Sequence, residues 1–286
     1  MNRPSKYSDT FDYDHRFHAG NVGDVLKHFA LRVWARSLQS NGALHFVDTH
    51  AGAGMFKLPA QGEWQEGIGR LDARSIDQAP ASIVDFITAV GTTRTPGKGG
   101  LYPGSPALFR SLLRPEDRLT VCELMEAPAG KLSTHYAEDA QVEVHRGDGL
   151  AALVEAARGS DDAQLAAFID PPYVSKGEWQ TVADAIIAAK SARPSACVCL
   201  WYPIKSLTRP QALRATLREA GIAGASIDLI STPLRLKKKR LNGSGLLIVD
   251  PPNSVLTTLA TALPWLGDTL ASGLEWTASV TRWKSA

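Results

Sequence analysis

Four consecutive residues, Asp170-Pro171-Pro172-Tyr173, follow the apolar run Leu165–Ile169 and carry the groups needed to act on an amine. The two prolines fix φ and remove two backbone donors, so the Asp170 carboxylate and the Pro171 carbonyl are held in one orientation. An amine conjugated to a purine is a poor nucleophile, and two acceptors on its hydrogens would free its lone pair. Tyr173 adds a face on which an extruded base can stack. The run predicts an active-site loop for methyl transfer to the amino group of a base; the alternative is a rigid turn.

A second Asp-Pro-Pro sequence begins at Asp250 and provides an internal comparison. It continues with Asn253 in place of the aromatic residue and follows the last predicted strand. We interpret this second copy as structural.

Three further turns carry groups suited to a nucleoside-like cofactor. Gly52 and Gly54 follow the first predicted strand, at a strand-to-helix turn where glycines let the backbone approach a ligand. Glu123 ends the second strand, where a carboxylate accepts hydrogen bonds from ribose hydroxyls. Asp148 follows the third, where it can receive the amino group of a bound adenine. Each alone has an ordinary alternative: a tight turn, a solvated glutamate or an Asp-Gly turn. Their order along successive strands favours a ligand site at the carboxyl edge of a sheet.

The elements that must position these groups alternate between strands and helices, which predicts a doubly wound α/β sheet covered on both faces. Strands are predicted at Ala43–Asp48, Leu119–Leu124, Val142–His145, Leu165–Asp170, Ala196–Trp201, Ser226–Ile230 and Leu246–Asp250. Helical periodicity appears in Asp24–Gln39, Ala81–Val90, Glu178–Lys190 and Pro210–Glu219. The last two strands could form a hairpin with one antiparallel strand. About 65 residues separate Gly54 from Leu119, whereas a βαβ unit takes about 30. We therefore predict an inserted, mainly helical subdomain at 55–101 between the first two strands, with the main domain formed by 1–54 and 102–286.

Composition limits the class of protein. A 286-residue chain with 44% hydrophobic and 21% charged residues is typical of a globular protein with one α/β domain and an insertion. The net charge of +2 is too small to indicate nucleic-acid binding without local clustering. Cys122, Cys197 and Cys199 lack metal-site spacing and lie in strand-like runs, so we expect buried free thiols, no metal site and a reducing cytoplasm. The polar N-terminus and the lack of a long apolar run predict neither a signal peptide nor a membrane span.

Two polar segments remain open to interpretation. The N-terminal segment at 13–28 is rich in aromatic and imidazole groups, and its Lys27 and His28 lie one helical turn from Asp24, so they could face a ligand. The basic run Arg235–Arg240 precedes a Gly- and Ser-containing stretch. It is consistent with a phosphate-contacting loop and equally with a solvated hairpin tip.

Taken together, these motifs resemble the RlmJ family of bacterial large-subunit ribosomal RNA adenine-N6 methyltransferases. The matching residues run nearly end to end: His15–Asn21 with Asp24–His28, Asp48–Gly54, Tyr102–Pro106, Ile169–Tyr173 and Leu200–Pro203. This combination is much more specific than the Asp-Pro-Pro-Tyr loop, which many amino-methyltransferases share. The chain departs from the family in a longer N-terminus before Tyr13, in Val22-Gly23, and in the basic run at 235–240.

The resemblance implies a Rossmann-like class I S-adenosylmethionine-dependent methyltransferase fold with a small helical insertion. It implies methylation of N6 of an adenine in 23S rRNA, adenine 2030 in the family, on free rRNA rather than the assembled ribosome, by a cytoplasmic protein that we expect to be a monomer. The cofactor contacts it implies are His28, His50, Ser105, Glu123, Asp148, Gly149 and Asp170. Asp170, Pro171 and Tyr173 would be catalytic, and Tyr13, His15, Lys27 and Tyr173 would lie on the substrate side.

Two other functions stay open at this point. A DNA adenine-N6 methyltransferase would use the same loop chemistry, although little of the chain is left for a separate DNA-recognition domain. A non-catalytic RNA-binding protein on a methyltransferase fold is the second alternative. The presence of Asp170, Tyr173, Glu123 and Asp148 argues against it.

Overall fold

A computed structural model describes residues 18–40, 42–91, 98–160, 162–236, 241–273 and 275–285 of the chain. Its centre is an eight-stranded mixed sheet in the order β10-β8-β9-β7-β6-β1-β4-β5, and the remaining strands, β2 and β3, pair with each other. The strands are β1 (Leu44–Asp48), β2 (Met55–Leu58), β3 (Gly100–Pro103), β4 (Arg118–Glu123), β5 (Val142–Arg146), β6 (Gln164–Ile169), β7 (Cys197–Ile204), β8 (Gly224–Ile230), β9 (Gly243–Val249) and β10 (Thr277–Trp283).

Helices cover both faces of this sheet. They are α1 (Val22–Leu38), α2 (Ile68–Ala73), α3 (Ala81–Val90), α4 (Ser105–Arg110), α5 (Glu126–His135), α6 (Gly149–Arg158), α7 (Glu178–Ala192), α8 (Thr208–Glu219) and α9 (Asn253–Leu270), with 3-10 turns at Glu63–Gln65 and Leu234–Leu236. None of the described helices is long and apolar enough to cross a bilayer.

The strand directions bring the predicted site turns to one edge. Strands β1, β4, β5, β6 and β7 pair in parallel, so their carboxyl ends meet there. β9 runs antiparallel to both β7 and β8, which confirms the predicted hairpin. Because β9 is reversed, its Asp250 leaves the sheet at the opposite edge. This position, together with Pro252 at the N-cap of α9, agrees with a structural role for the second Asp-Pro-Pro sequence.

All seven predicted strands and all four predicted helices are present, with ends displaced by up to three residues. The expectation that the sheet is covered on both faces holds for its centre, where every residue of β1 and β9 is buried. It is wrong for the edges, because β5 and β10 are largely exposed. The three thiols are free, but only Cys122 and Cys199 are buried and Cys197 is partly exposed.

The first strand's turn and the inserted segment differ from prediction. The Gly52–Gly54 turn leads into β2 and not into a helix. The 55–101 segment contains α2 and α3, but it begins with β2 and ends in β3, whose pairing closes it. Its Trp64 and Phe86 belong to the same hydrophobic core as Phe29 of α1, so the segment packs on the main domain without a separate core. The division into two subdomains stays a prediction.

Candidate active site

The Asp170–Tyr173 loop leaves the buried strand β6 at the carboxyl edge of the sheet. Asp170 remains accessible, with 15% of its side chain exposed, while Pro171 is buried. Tyr173 has a φ of 50°, a left-handed conformation that costs a non-glycine residue energy. Two contacts hold it there: its hydroxyl donates to the Trp201 carbonyl at 3.0 Å, and its ring packs 4.6 Å from that of Trp179. The loop is therefore a braced turn that presents Asp170 beside an aromatic cluster.

A buried lysine from α1 is bound to the loop carboxylate. Lys27 Nζ lies 2.7 Å from Asp170 Oδ2 and 2.7 Å from Asp24 Oδ1, with only 6% of its side chain exposed. Its Nζ also lies 5.4 Å from the centre of the Trp201 ring, a cation–π distance. Burial alone would lower the pKa of Lys27, but the charges of Asp170 and Asp24 outweigh it and hold the pKa above its usual range. Lys27 is thus a fixed cation that aims Asp170.

Two acceptors of the loop remain available. Lys27 occupies only Oδ2 of Asp170, and within the described ranges Oδ1 of Asp170 and the carbonyl of Pro171 accept no hydrogen bond. These are the two acceptors that the sequence analysis assigns to an amine. Their availability fits that assignment.

The β1 and β4 turns form the next part of the site. Gly52 and Gly54 have positive φ values of 60° and 75°, which favour glycine. Glu123 ties this turn to β4, because its Oε2 accepts from Gly52 N at 2.9 Å and its Oε1 from Met125 N at 2.8 Å. Burial raises the pKa of Glu123, although these backbone donors oppose the shift. Glu123 is therefore held at the strand end where the sequence predicts a ribose contact.

The β5 turn approaches β1 so closely that only glycine fits at position 149. A Cβ on Gly149 would lie 2.0 Å from the Thr49 carbonyl oxygen. Asp148 caps α6, since its Oδ1 accepts from Leu150 N at 2.9 Å and Ala151 N at 3.2 Å. Its other carboxylate oxygen has no bond within the described residues. The close approach brings Asp148 to the edge of the β1 turn.

His50 lies where these turns converge. Its Nδ1 is 2.7 Å from the Thr49 hydroxyl. Burial lowers the pKa of His50, and the carboxylates of Asp170, Asp148 and Glu178 are close enough to oppose this shift. The structure thus brings His50, Asp148 and Asp170 into one electrostatic environment.

His28 and Ser105 lie behind this edge. His28 is 2% exposed, its Nδ1 is 2.9 Å from the Tyr102 hydroxyl, and the two rings stack. Tyr102 belongs to β3, which leads directly to the buried Ser105 at the start of α4. The predicted contacts Tyr13 and His15 lie outside the described residues.

Asp48, the last residue of β1, has no role predicted from the sequence motifs. This carboxylate is fully buried, and neither of its oxygens has a hydrogen-bond partner among the described residues. Burial raises the pKa of Asp48 to about 7, and the charge of Asp170 raises it further. The Ser105 hydroxyl and the backbone N–H of His50, neither of which reaches hydrogen-bond geometry, lower the pKa only in part. Buried carboxylates without partners are rare because they cost several kcal/mol. The available signal was an acidic residue directly before the glycine turn.

Two tryptophans beside the loop, Trp179 and Trp201, were not predicted from the sequence as site residues. The indole nitrogens of Trp179 and Trp201 are buried without an acceptor in the described part of the chain, and both rings contact Tyr173. Aromatic residues at these positions look like ordinary core residues in the sequence. Their position against Tyr173 depends on contacts that join β7, α7 and the loop.

Comparison with known proteins gives one consistent picture. A family model described as RsmJ, "Ribosomal RNA large subunit methyltransferase D, RlmJ", matches residues 41–283. The chain is 31% identical over 261 residues to the Escherichia coli protein "Ribosomal RNA large subunit methyltransferase J", covering 89% of this chain and 92% of the relative. The Haemophilus influenzae protein with the same name is 29% identical over 266 residues, covering 90% and 93%. A crystal structure of a Legionella pneumophila protein superposes with a TM-score of 0.82 at 26% identity, covering 93% of this chain and 98% of that one.

Proposed function

The chain belongs to the RlmJ family of ribosomal RNA large subunit methyltransferases, and we propose that it methylates N6 of an adenine in 23S rRNA. Its fold is the Rossmann-like class I methyltransferase fold. By resemblance to the family, the target would be adenine 2030, on free rRNA and not on the assembled ribosome. Action on rRNA would take place in the cytoplasm, and we expect a monomer.

One observation carries the proposal: Asp170 Oδ1 and the Pro171 carbonyl accept no hydrogen bond from any described residue, and both lie beside the half-buried ring of Tyr173. The N6 amino group of adenine has two hydrogens, one for each acceptor. Accepting both bonds would weaken conjugation of the nitrogen with the ring and expose its lone pair. Because Lys27 keeps its charge and neutralises the other side of Asp170, the carboxylate acts first as an orienting acceptor. It then takes the proton that the methylated amine loses.

The residues present fit S-adenosylmethionine as the cofactor. Bound there, the cofactor would supply a methyl group already activated by its sulfonium. Its positive charges suit an edge of the sheet that is rich in carboxylates. Asp48, which has no hydrogen-bond partner in the described part of the chain, is a buried acceptor that needs a donor. The residues proposed to hold it are His28, His50, Ser105, Glu123, Asp148, Gly149 and Asp170, to which we add Asp48. Tyr13, His15 and Tyr173 are proposed to face the RNA. Lys27, which the resemblance also put on the substrate side, is buried, and we propose that it acts through Asp170.

The test measures transfer of labelled methyl from S-adenosylmethionine to unmodified 23S rRNA, to assembled large subunits and to duplex DNA. We expect N6-methyladenine in free rRNA, and loss of transfer in Asp170→Asn. The matched control is Asp250→Asn, in the second Asp-Pro-Pro sequence, which should retain activity. Transfer to duplex DNA alone would support a DNA methyltransferase. Failure to bind the cofactor in calorimetry would support a non-catalytic RNA-binding protein. Either result would overturn the proposal.

A further inference from the structure

Charge is distributed unevenly along the edge of the sheet that carries the site. The carboxyl ends of β4 and β5 and the turns after them carry Glu123, Glu126 and Asp148, the last two exposed, together with one exposed cation, Arg146. The loops on the other side of β6 carry exposed cations. These are Lys176 after β6, Lys205 and Arg209 after β7, and Arg235 after β8. The small net charge of the whole chain conceals this separation.

Strand register places these cations on the same side as Asp170. Ile169, the last residue of β6, pairs with Leu200, and β7 continues four residues further to Ile204. At roughly 3.3 Å per residue, Lys205 emerges some 13 Å beyond the level of Asp170. Gly243 of β9 pairs with both Ile204 and Ile230, so the segment after β8 leaves the sheet at the same edge as Lys205, two strands away from it. Lys176 therefore follows the catalytic loop itself, and Lys205 follows the strand next to it.

Several of these cations have no structural explanation within the described chain. Lys176, Lys205 and Arg209 form no ion pair with any described residue. Arg235, in contrast, pairs with the exposed Glu275, and Arg214, in the middle of α8, pairs with the buried Asp228. Arg209 is the second residue of α8, where a positive charge opposes the helix dipole. Stability of the helix therefore does not account for Arg209, whereas an external anion bound at this position would.

We propose that Lys176, Lys205 and Arg209, here called the basic face, bind the phosphate backbone of the RNA that flanks the target adenine. Phosphate contacts set the register of a nucleic acid without reading its sequence. The carboxylates on the β4 and β5 side repel phosphate, so the RNA is restricted to the β7 side of the target. The inference rests on the proposed function, in that it takes the polymer to be rRNA.

The experiment compares two double variants with equal changes in net charge. Lys205→Glu/Arg209→Glu removes two cations of the basic face. Lys131→Glu/Arg218→Glu removes two exposed cations elsewhere; Arg218 lies near the opposite end of the helix that begins with Thr208 and Arg209. Dissociation constants for a 23S rRNA transcript are measured between 50 and 200 mM salt, with cofactor affinity and unfolding midpoints as checks on folding.

We expect the first variant to bind RNA about tenfold more weakly at low salt, with a salt slope smaller by about two, and kcat at saturating RNA to be preserved. The control should stay within about twofold of the unmodified protein. Equal effects of the two variants would overturn the basic face, even if the unmodified protein methylates rRNA. If the unmodified protein methylates no RNA, the proposed function fails, and the binding comparison still decides whether this face holds the polyanion.

Discussion

Replacing Lys27 by methionine tests whether the buried cation organises the site. The substitution preserves much of the side-chain volume but leaves Asp24 and Asp170, whose side chains are 9% and 15% exposed, without their shared partner. Removing one member of a buried ion pair costs about 3–5 kcal/mol, because the remaining charge stays desolvated. We expect a loss of that size in the free energy of unfolding at pH 7.

The pH dependence gives the sign of the effect. The raised pKa of Lys27 means that its stabilising contribution is complete below the pKa of the unfolded chain and is lost only in strongly alkaline solution. At pH 7 the lysine is therefore fully charged.

The assay is urea denaturation of the purified proteins at pH 7. The triple variant Lys27→Met/Asp24→Asn/Asp170→Asn removes the carboxylate charges as well, and we expect it to recover most of the lost stability. The reasoning is refuted if the single variant loses less than about 1 kcal/mol, or if the triple variant recovers none of the loss.

Three other substitutions test separate parts of the site. Asp48→Asn should stabilise the cofactor-free protein by an amount on the order of a few kcal/mol at pH 8 but little at pH 4. The reason is that the folded pKa of about 7 exceeds the unfolded value, so the cost of the buried charge grows as pH rises between the two values. Thermal unfolding measures the change in stability, and calorimetry should show weaker S-adenosylmethionine binding by the variant. Gly149→Ala should abolish cofactor binding because the added Cβ meets the Thr49 carbonyl. The control Gly130→Ala lies in a helix with open space around it, so it should keep cofactor binding and gain about 0.5–1 kcal/mol of stability. Equal cofactor binding by both variants would contradict the steric argument. Tyr173→Ala should weaken RNA affinity by about 1–3 kcal/mol through lost stacking. Tyr173→Phe should keep it and lose about 1 kcal/mol of stability with the hydrogen bond to Trp201, so similar RNA affinities for the two variants would exclude stacking.

The local sequence pattern was sufficient to predict a strand where the apolar composition of that segment alone indicates its burial. The apolar runs of β1, β4, β6 and β7 predicted the central sheet, because buried parallel strands need continuous apolar sequence. It failed for β10, whose largely polar, exposed sequence forms a strand by pairing with β8. It also failed for β2 and β3, which are four residues each and are stabilised by each other. Their pairing partner is far away in the chain, so no local periodicity reports it.

The Asp170–Tyr173 loop shows the same division. Its chemistry follows from the sequence, because two prolines and an aspartate after a buried strand define the acceptors within four residues. Which of those acceptors is available depends on Lys27, 143 residues away in the chain. The sequence of the β1 turn likewise shows an aspartate before glycines. It does not show that Asp48 is buried and that no described residue forms a hydrogen bond with its carboxylate. Burial and pairing arise from packing of α1, β1 and α4 around the edge of the sheet. The sequence alone thus determined which groups the site has, and the tertiary structure decided which are charged, paired or free to meet a substrate.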